Sequence, residues 1–273
     1  MAVLKPSMDV GAFFWLGPPW REVGLARDGL HLSCGIAMTH TALEAIRAET
    51  DNTALWGLLL RYFHDRGVTK VSYHHFTGAV GPQGAVNVNA YGFSDEWVCH
   101  YIEQKLYTID PITEFAQSAT IPFRWSDIRN LVRLTVDQTR YLNDMRDAGV
   151  GDGLAFQVFG PGVRNGYVGL GVDTAVDFPS DALVLDFQVV AQAGHIRYCE
   201  LNPTSLSGVD LSPRERQILR WIARGKSNSS IADILLLSPH TVDTLVRRIF
   251  SKLGVTDRTT AAVKGIGAGL ILP

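Results

Sequence analysis

The chain has 273 residues, 46% of them hydrophobic, and a formal net charge of −2. That length allows two domains with real cores, and the lack of a run of about eighteen apolar residues excludes a membrane-spanning helix. Three cysteines, Cys34, Cys99 and Cys199, are odd in number and far apart, which argues against a disulfide framework or metal knuckle and for a reduced, cytoplasmic protein.

In chain order, residues 1–36 read as an N-terminal extension, rich in Gly and Pro and carrying Phe13, Phe14, Trp15 and Trp20. Four aromatics so close are unusual in a disordered tail, so either part of it docks on the protein or a partner subunit, or the tail is floppy. The run Phe13-Phe14-Trp15-Leu16 follows a single lysine and is broken by Gly17-Pro18-Pro19, a poor signal peptide. Helical periodicity begins near Thr39 or Thr41. Leu43, Ile46, Leu55, Leu58, Leu59, Tyr62 and Phe63 then form an apolar stripe that Gly67 stops. Residues 68–76 and 85–91 read as strands around a turn at Gly78, Gly81-Pro82 and Gly84. His74-His75 has no second ligand cluster nearby, so no metal site is expected.

Ser94 caps a helix that ends at Ile109-Asp110-Pro111, because the proline pushes Asp110 out of the helical region. A helix over 112–119 leads to Phe123-Arg124-Trp125-Ser126, and another over 135–148 ends at Gly149. Residues 153–159 and 167–172 read as a hairpin turned by Gly160-Pro161-Gly162 and Asn165-Gly166. Pro179-Ser180 starts a long helix over 181–201, the candidate seam of a homodimer. Residues 37–202 therefore predict an α/β ligand-binding domain, an α-β-α sandwich with a largely antiparallel sheet. A linker over 203–209 follows, with Pro203, Ser205, Ser207 and Gly208.

Residues 210–273 predict an all-α, four-helix unit containing a helix-turn-helix. Ser212, Pro213 and Glu215 have the spacing of a capping box, and Ile218, Leu219, Ile222 and Ala223 that of a buried face ended by Gly225. A second helix covers about 228–236. Ser238-Pro239 starts the third, about 240–252, which Gly254 closes, and a fourth covers about 259–267. The second helix of such a pair lies in the major groove. Its outward residues would be His240, Asp243, Thr244, Arg247 and Arg248, with Lys252 a turn further and Ser238 and Thr241 at the helix start, where N–H groups favour a phosphate. From residue 206 onward there are ten Lys and Arg against five Asp and Glu, a charge of +5, which leaves −7 for the first 205 residues. A basic small domain joined to an acidic larger one points to double-stranded DNA as partner of the former.

On charge alone a solvated helical bundle would serve equally well. The residues Leu211, Arg214-Glu215, Leu219, Trp221, Gly225-Lys226, Ile231-Ala232, Leu235, Ser238, Thr241-Val242, Lys252-Leu253, Arg258, Ala261 and Gly269-Leu270-Ile271 go further: this stretch closely resembles the C-terminal DNA-binding domain of LuxR-type transcription regulators. Ser230 stands where that family usually has Glu, and Leu245 where it often has His. Asp243 on the reading face would repel phosphates and can accept from cytosine N4.

Trp97, Tyr101, Asp110 and Trp125 form a second constellation. A carboxylate among tryptophans and a tyrosine is costly if buried unpaired, and the indole N–H and phenol O–H are its nearest donors. Read from residue types alone, these are either core aromatics with Asp110 as a capping residue, or a pocket for a small ligand with an amide N–H, a carbonyl and an apolar tail near Leu106, Phe115 and Val158. The run Trp97-x3-Tyr101-x8-Asp110-Pro111, then Trp125 and Gly153, is similar to the autoinducer-binding domain of the same LuxR-type quorum-sensing regulators. That resemblance implies an acyl-homoserine lactone as ligand and no cofactor. It also implies that Trp97 donates to the lactone carbonyl, that Asp110 accepts the amide N–H, and that Tyr101 and Trp125 line the pocket. Phe93 stands where the family commonly has a Tyr that contacts the acyl carbonyl, and Gly169 and Gly171 lie where a Ser or Thr is usual. The expectation is a quorum-sensing regulator that binds a palindromic operator as a dimer. The alternatives are a LuxR-type regulator with another ligand or none, a phosphorylation-driven response regulator, for which no βα receiver segment is visible, and an enzyme. The G-x-S-x-G, H-E-x-x-H, P-loop and dinucleotide fingerprints are all missing, so no catalysis is expected.

Overall fold

The computed structural model describes residues 32–76, 86–172, 178–203 and 209–272. The extension up to residue 31, the turn over 77–85 and most of the linker, all singled out above, lie outside the described residues. The chain forms two compact units, the first ending at Leu201 and the second formed chiefly by the residues from 202 onward.

The first unit opens with α1 (Leu32–Ala48) and α2 (Asn52–His64). The single apolar stripe expected here is split because Asp51 accepts from Ala54 N and caps α2, while Glu49 Oε1 accepts from Thr50 N and Asp51 N. The helix also begins before Thr39, whose hydroxyl bonds Tyr62 Oη at 2.8 Å rather than a helix end. The strands are β1 (Val68–Phe76), β2 (Val86–Tyr91), β3 (Phe123–Arg124), β4 (Asp152–Val158) and β5 (Gly166–Val172). They form one five-stranded sheet in the order β2-β1-β5-β4-β3, and every pair is antiparallel. The two-residue strand β3 was not expected; it is too short to show an alternation.

One face of the sheet packs on α1, α2 and α7 (Asp181–Leu201) through Val71, Tyr73, Leu154, Phe156, Val168 and Leu170 against Leu59, Phe63, Phe187 and Val190. Burying one such side chain contributes roughly 1.5–3 kcal/mol. Gly194 lets α7 approach α2, since a Cβ there would lie 2.7 Å from Leu59 Cδ1. The other face carries α3 (Asp95–Glu103), α4 (Pro111–Ala116), α5 (Ile128–Leu131) and α6 (Val136–Asp147). Its core includes Trp97, Leu106, Ile112, Trp125, Tyr141, Met145, Ala155 and Tyr167. The result is the α-β-α sandwich the element pattern predicts.

The second unit is all-α: α8 (Pro213–Ala223), α9 (Asn228–Leu235), α10 (Pro239–Leu253) and α11 (Arg258–Gly267). Ser212 and Glu215 make the reciprocal capping box. Ile218, Leu219, Ile231, Val242, Ile249 and Ala261 are fully buried at its centre. Leu236, expected inside the second helix, instead ends it with φ 53° in the left-handed region. No helix among the described residues is long and apolar enough to cross a membrane.

Candidate functional site

A cavity of about 60 Å³ lies on the α3–α6 side of the sheet. Its walls are Ser72 and His74 of β1, Val88 and Ala90 of β2, Phe93, Trp97, Val98 and Tyr101, then Asp110 and Ile112, Trp125, Tyr141 and Met145 of α6, Val150, and Tyr167 of β5. Trp97 and Tyr101 are four apart on α3, so they share a face, and Ser94 sets the start of that helix by accepting from Trp97 N at 3.2 Å.

Asp110 is the polar centre of the wall. Pro111 at the first position of α4 makes Asp110 its N-cap, so Oδ1 accepts from Ile112 N at 2.9 Å and Thr113 N at 3.4 Å. Oδ2 accepts from Tyr101 Oη at 3.1 Å, and the neighbouring Tyr141 hydroxyl also pulls the carboxyl pKa down. Capping residue and pocket residue are therefore the same residue. All of these neighbours are neutral, and burial pushes the carboxyl pKa up to about 6 despite their pull toward lower values. Burial, reinforced by the Asp110 charge, raises the phenols of Tyr101, Tyr141 and Tyr167. Burial also lowers His74 to about 3, so its imidazole is neutral. The Trp97 indole N–H has no acceptor among the described residues.

Trp125 lies flat on two glycines. A Cβ on Gly153 would be 2.9 Å from its Cε2, and one on Gly171 would be 3.2 Å from its Cη2. Its buried N–H lies beside the Tyr167 hydroxyl without reaching good hydrogen-bond geometry. A Cβ on Gly169 would be 2.4 Å from both Tyr167 Oη and Ser72 Oγ. The space a later-strand Ser or Thr would use thus holds these two hydroxyls.

Phe93 lines the cavity and brings no hydroxyl. Leu106, Phe115 and Val158, expected around the tail, do not line it. Phe115 packs edge-on against Phe123, with centroids 4.9 Å apart. Val158 falls on the opposite face of β4, because side chains alternate along a strand. The same alternation separates His74, which meets Tyr101 and Tyr167, from His75, which meets His195 and Tyr198. Among the described residues no group of three His, Cys, Asp or Glu side chains could hold a metal ion.

In the second unit, Ser238 caps α10 by accepting from Thr241 N at 3.1 Å. Val242, Val246, Ile249 and Leu253 are buried, which leaves His240, Thr241, Asp243, Arg247 and Arg248 exposed and Thr244 half-buried. Asp243 Oδ1 accepts from Asn228 Nδ2 at 2.6 Å, and Asn228 Oδ1 accepts from Arg258 Nη1. The α10 carboxylate is thus held by the start of α9. Lys252, although exposed, is tied to the fold: its Nζ is 2.7 Å from the Glu215 carboxylate and 2.9 Å from Asp210 O.

Residues 51–198, more than half of the chain, match the family model described as the autoinducer binding domain, and residues 209–264 match that of bacterial regulatory proteins of the luxR family. The chain belongs to the LuxR-type, autoinducer-binding regulators. It is 28% identical over 183 residues to a putative HTH-type transcriptional regulator, y4qH, of Sinorhizobium fredii; the match covers 66% of this chain and 55% of that protein's length. It is 26% identical over 187 residues to the transcriptional activator protein AhyR of Aeromonas hydrophila, covering 66% and 71% of the two chains. The crystal structure of Escherichia coli SdiA superposes with a TM-score of 0.70 over 88% of this chain and 100% of that one, at 22% identity, a likeness of fold.

Within this LuxR-type regulator, Trp97, Tyr101, Asp110, Trp125 and Phe93 meet at one cavity. Sequence reasoning missed Tyr141, Tyr167, Ser72 and His74. Tyr141 could have been found, since it is an aromatic on an amphipathic helix; the strand residues carried no local signal.

Proposed function

We propose that the protein is a quorum-sensing transcription regulator that takes an acyl-homoserine lactone-like signal into the first unit and binds a palindromic DNA operator as a dimer through α10. The observation that carries the reading is Asp110, a buried carboxylate held by neutral donors beside an indole N–H that lacks an acceptor. An amide N–H is the group such a carboxylate lacks, and a lactone carbonyl is the group Trp97 lacks. At about 60 Å³ the cavity must widen to admit such a molecule, so ligand becomes part of the core and stabilises the folded state by mass action. No cofactor is required. The exposed Leu185, Val189 and Ile196 of α7 recur at helical spacing and suit a seam between two copies. Dimerisation would set two α10 helices at half-sites about one DNA turn apart. A bacterial cytoplasmic location follows from this role.

In ligand-dependent operator binding, Asp110→Asn and Trp97→Phe are expected to abolish the response while both variants fold. A full response in both would overturn the pocket assignment. A second reading, a regulator with a different ligand or none, is favoured by Phe93, which removes a hydroxyl from the wall, and by Tyr101, which already bonds one oxygen of Asp110.

A further inference from the structure

The cavity wall contains a polar group that head-group recognition leaves unused. His74 is only 4% exposed and lines the cavity from the middle of β1. Its ring packs edge-on against Tyr167, with centroids 5.1 Å apart, and against Tyr101 at 6.1 Å. No hydrogen bond to either of its nitrogens is found among the described residues. A neutral imidazole always presents one N–H and one bare nitrogen, so this wall offers a donor and an acceptor side by side. Ser72, two residues away on the same face of β1, adds a hydroxyl beside that of Tyr167. An apolar tail laid here would strip these groups of water and return no hydrogen bond. Strand neighbours that only pack, such as Val88 and Ala90, present no such requirement.

We infer that His74 is a specificity-determining residue that selects a ligand bearing a hydroxyl or keto oxygen on its acyl part. This rests on the reading of the cavity as the autoinducer pocket and narrows its ligand class. Protonation does not confuse the assignment, because burial keeps the imidazole neutral down to about pH 3. A keto oxygen accepts the His74 N–H; a hydroxyl can accept that N–H and donate to Ser72 or to the bare nitrogen.

The test is equilibrium binding of the full chain to acyl-homoserine lactones of equal chain length with a plain, a 3-oxo or a 3-hydroxy acyl group, in wild type and in His74→Leu. Wild type is expected to favour an oxygenated member over its plain counterpart by about tenfold, the factor of one ordinary hydrogen bond to a buried group. His74→Leu is expected to erase or reverse that order while still binding the plain lactone. If wild type ranks plain and oxygenated lactones equally, or His74→Leu retains the wild-type order, the inference is wrong and the pocket reading stands. If no homoserine lactone binds, the pocket reading fails and the inference with it. Should His74→Leu not fold, His74→Asn, which keeps one donor and one acceptor, must retain the preference; losing it would equally overturn the role of a hydrogen-bonding side chain here.

Discussion

A carboxylate buried among neutral donors makes the first unit sensitive to pH through Asp110. The ordinary pKa of that group lies near 3.8 and burial raises it to about 6, so the folded state holds the proton more tightly than the unfolded chain. The stabilising contribution of that proton is complete below about pH 4 and is lost as pH rises through about 6. The difference between the two values corresponds to roughly 3 kcal/mol at most. At neutral pH the unliganded unit therefore carries an ionised, partly compensated carboxylate. Asp110→Asn, which keeps an oxygen for the α4 cap, is expected to raise the unfolding midpoint of the unliganded chain at about pH 7.5, where the native carboxyl is ionised; a lower midpoint would contradict this. An amide N–H from the ligand favours the ionised form. Affinity should accordingly be full above about pH 6 and fall as pH drops below it, while His74 stays neutral throughout that window. A titration showing equal affinity about one pH unit either side of that value would place the amide elsewhere.

At the scale of elements, the second unit shows how a charged residue on the helix proposed to read DNA can serve the fold instead. Glu215 is 3% exposed, closes the α8 cap and pairs with Lys252. Burial works to raise its carboxyl, but the Lys252 and Ser212 bonds outweigh it and hold it below the ordinary range. Lys252→Ala is expected to cost roughly 1–2 kcal/mol of stability, discounted because the lysine is partly exposed, and to leave the salt dependence of operator binding nearly unchanged. Arg247→Ala and Arg248→Ala, on the open side of α10, should each lower that slope by about one. Equal slopes for all three variants would contradict this division. The sequence carried most of this element clearly. Ser212-Pro213 with Glu215 and Ser238-Pro239 announced two helix starts, and the apolar spacing of Ile218, Leu219 and Ile222 announced a buried face. The Lys252–Glu215 bond joins residues 37 apart, and no local pattern reveals it. The pocket divides the same way. Trp97, Tyr101 and Asp110 were readable because one helix and the turn after it carry all three. His74, Ser72 and Tyr167 reach the cavity through the pairing of β1 with β5, a register fixed across the sheet.

For the whole molecule, the proposed function joins a ligand that would complete a core to a dimer that would read DNA. The α7 stripe is the link that can be broken alone. Leu185→Glu with Val189→Glu should leave the first unit folded and the chain monomeric by light scattering, with weakened operator binding; a dimer of unchanged strength would move the seam elsewhere. The central claim is that ligand enters the core around Asp110. Thermal unfolding of the purified full chain with a panel of acyl-homoserine lactones tests it most directly. The expected result is a rise of several degrees for a preferred acyl group and none for Asp110→Asn. A folded protein that still binds DNA but shows no shift with any of them would contradict it.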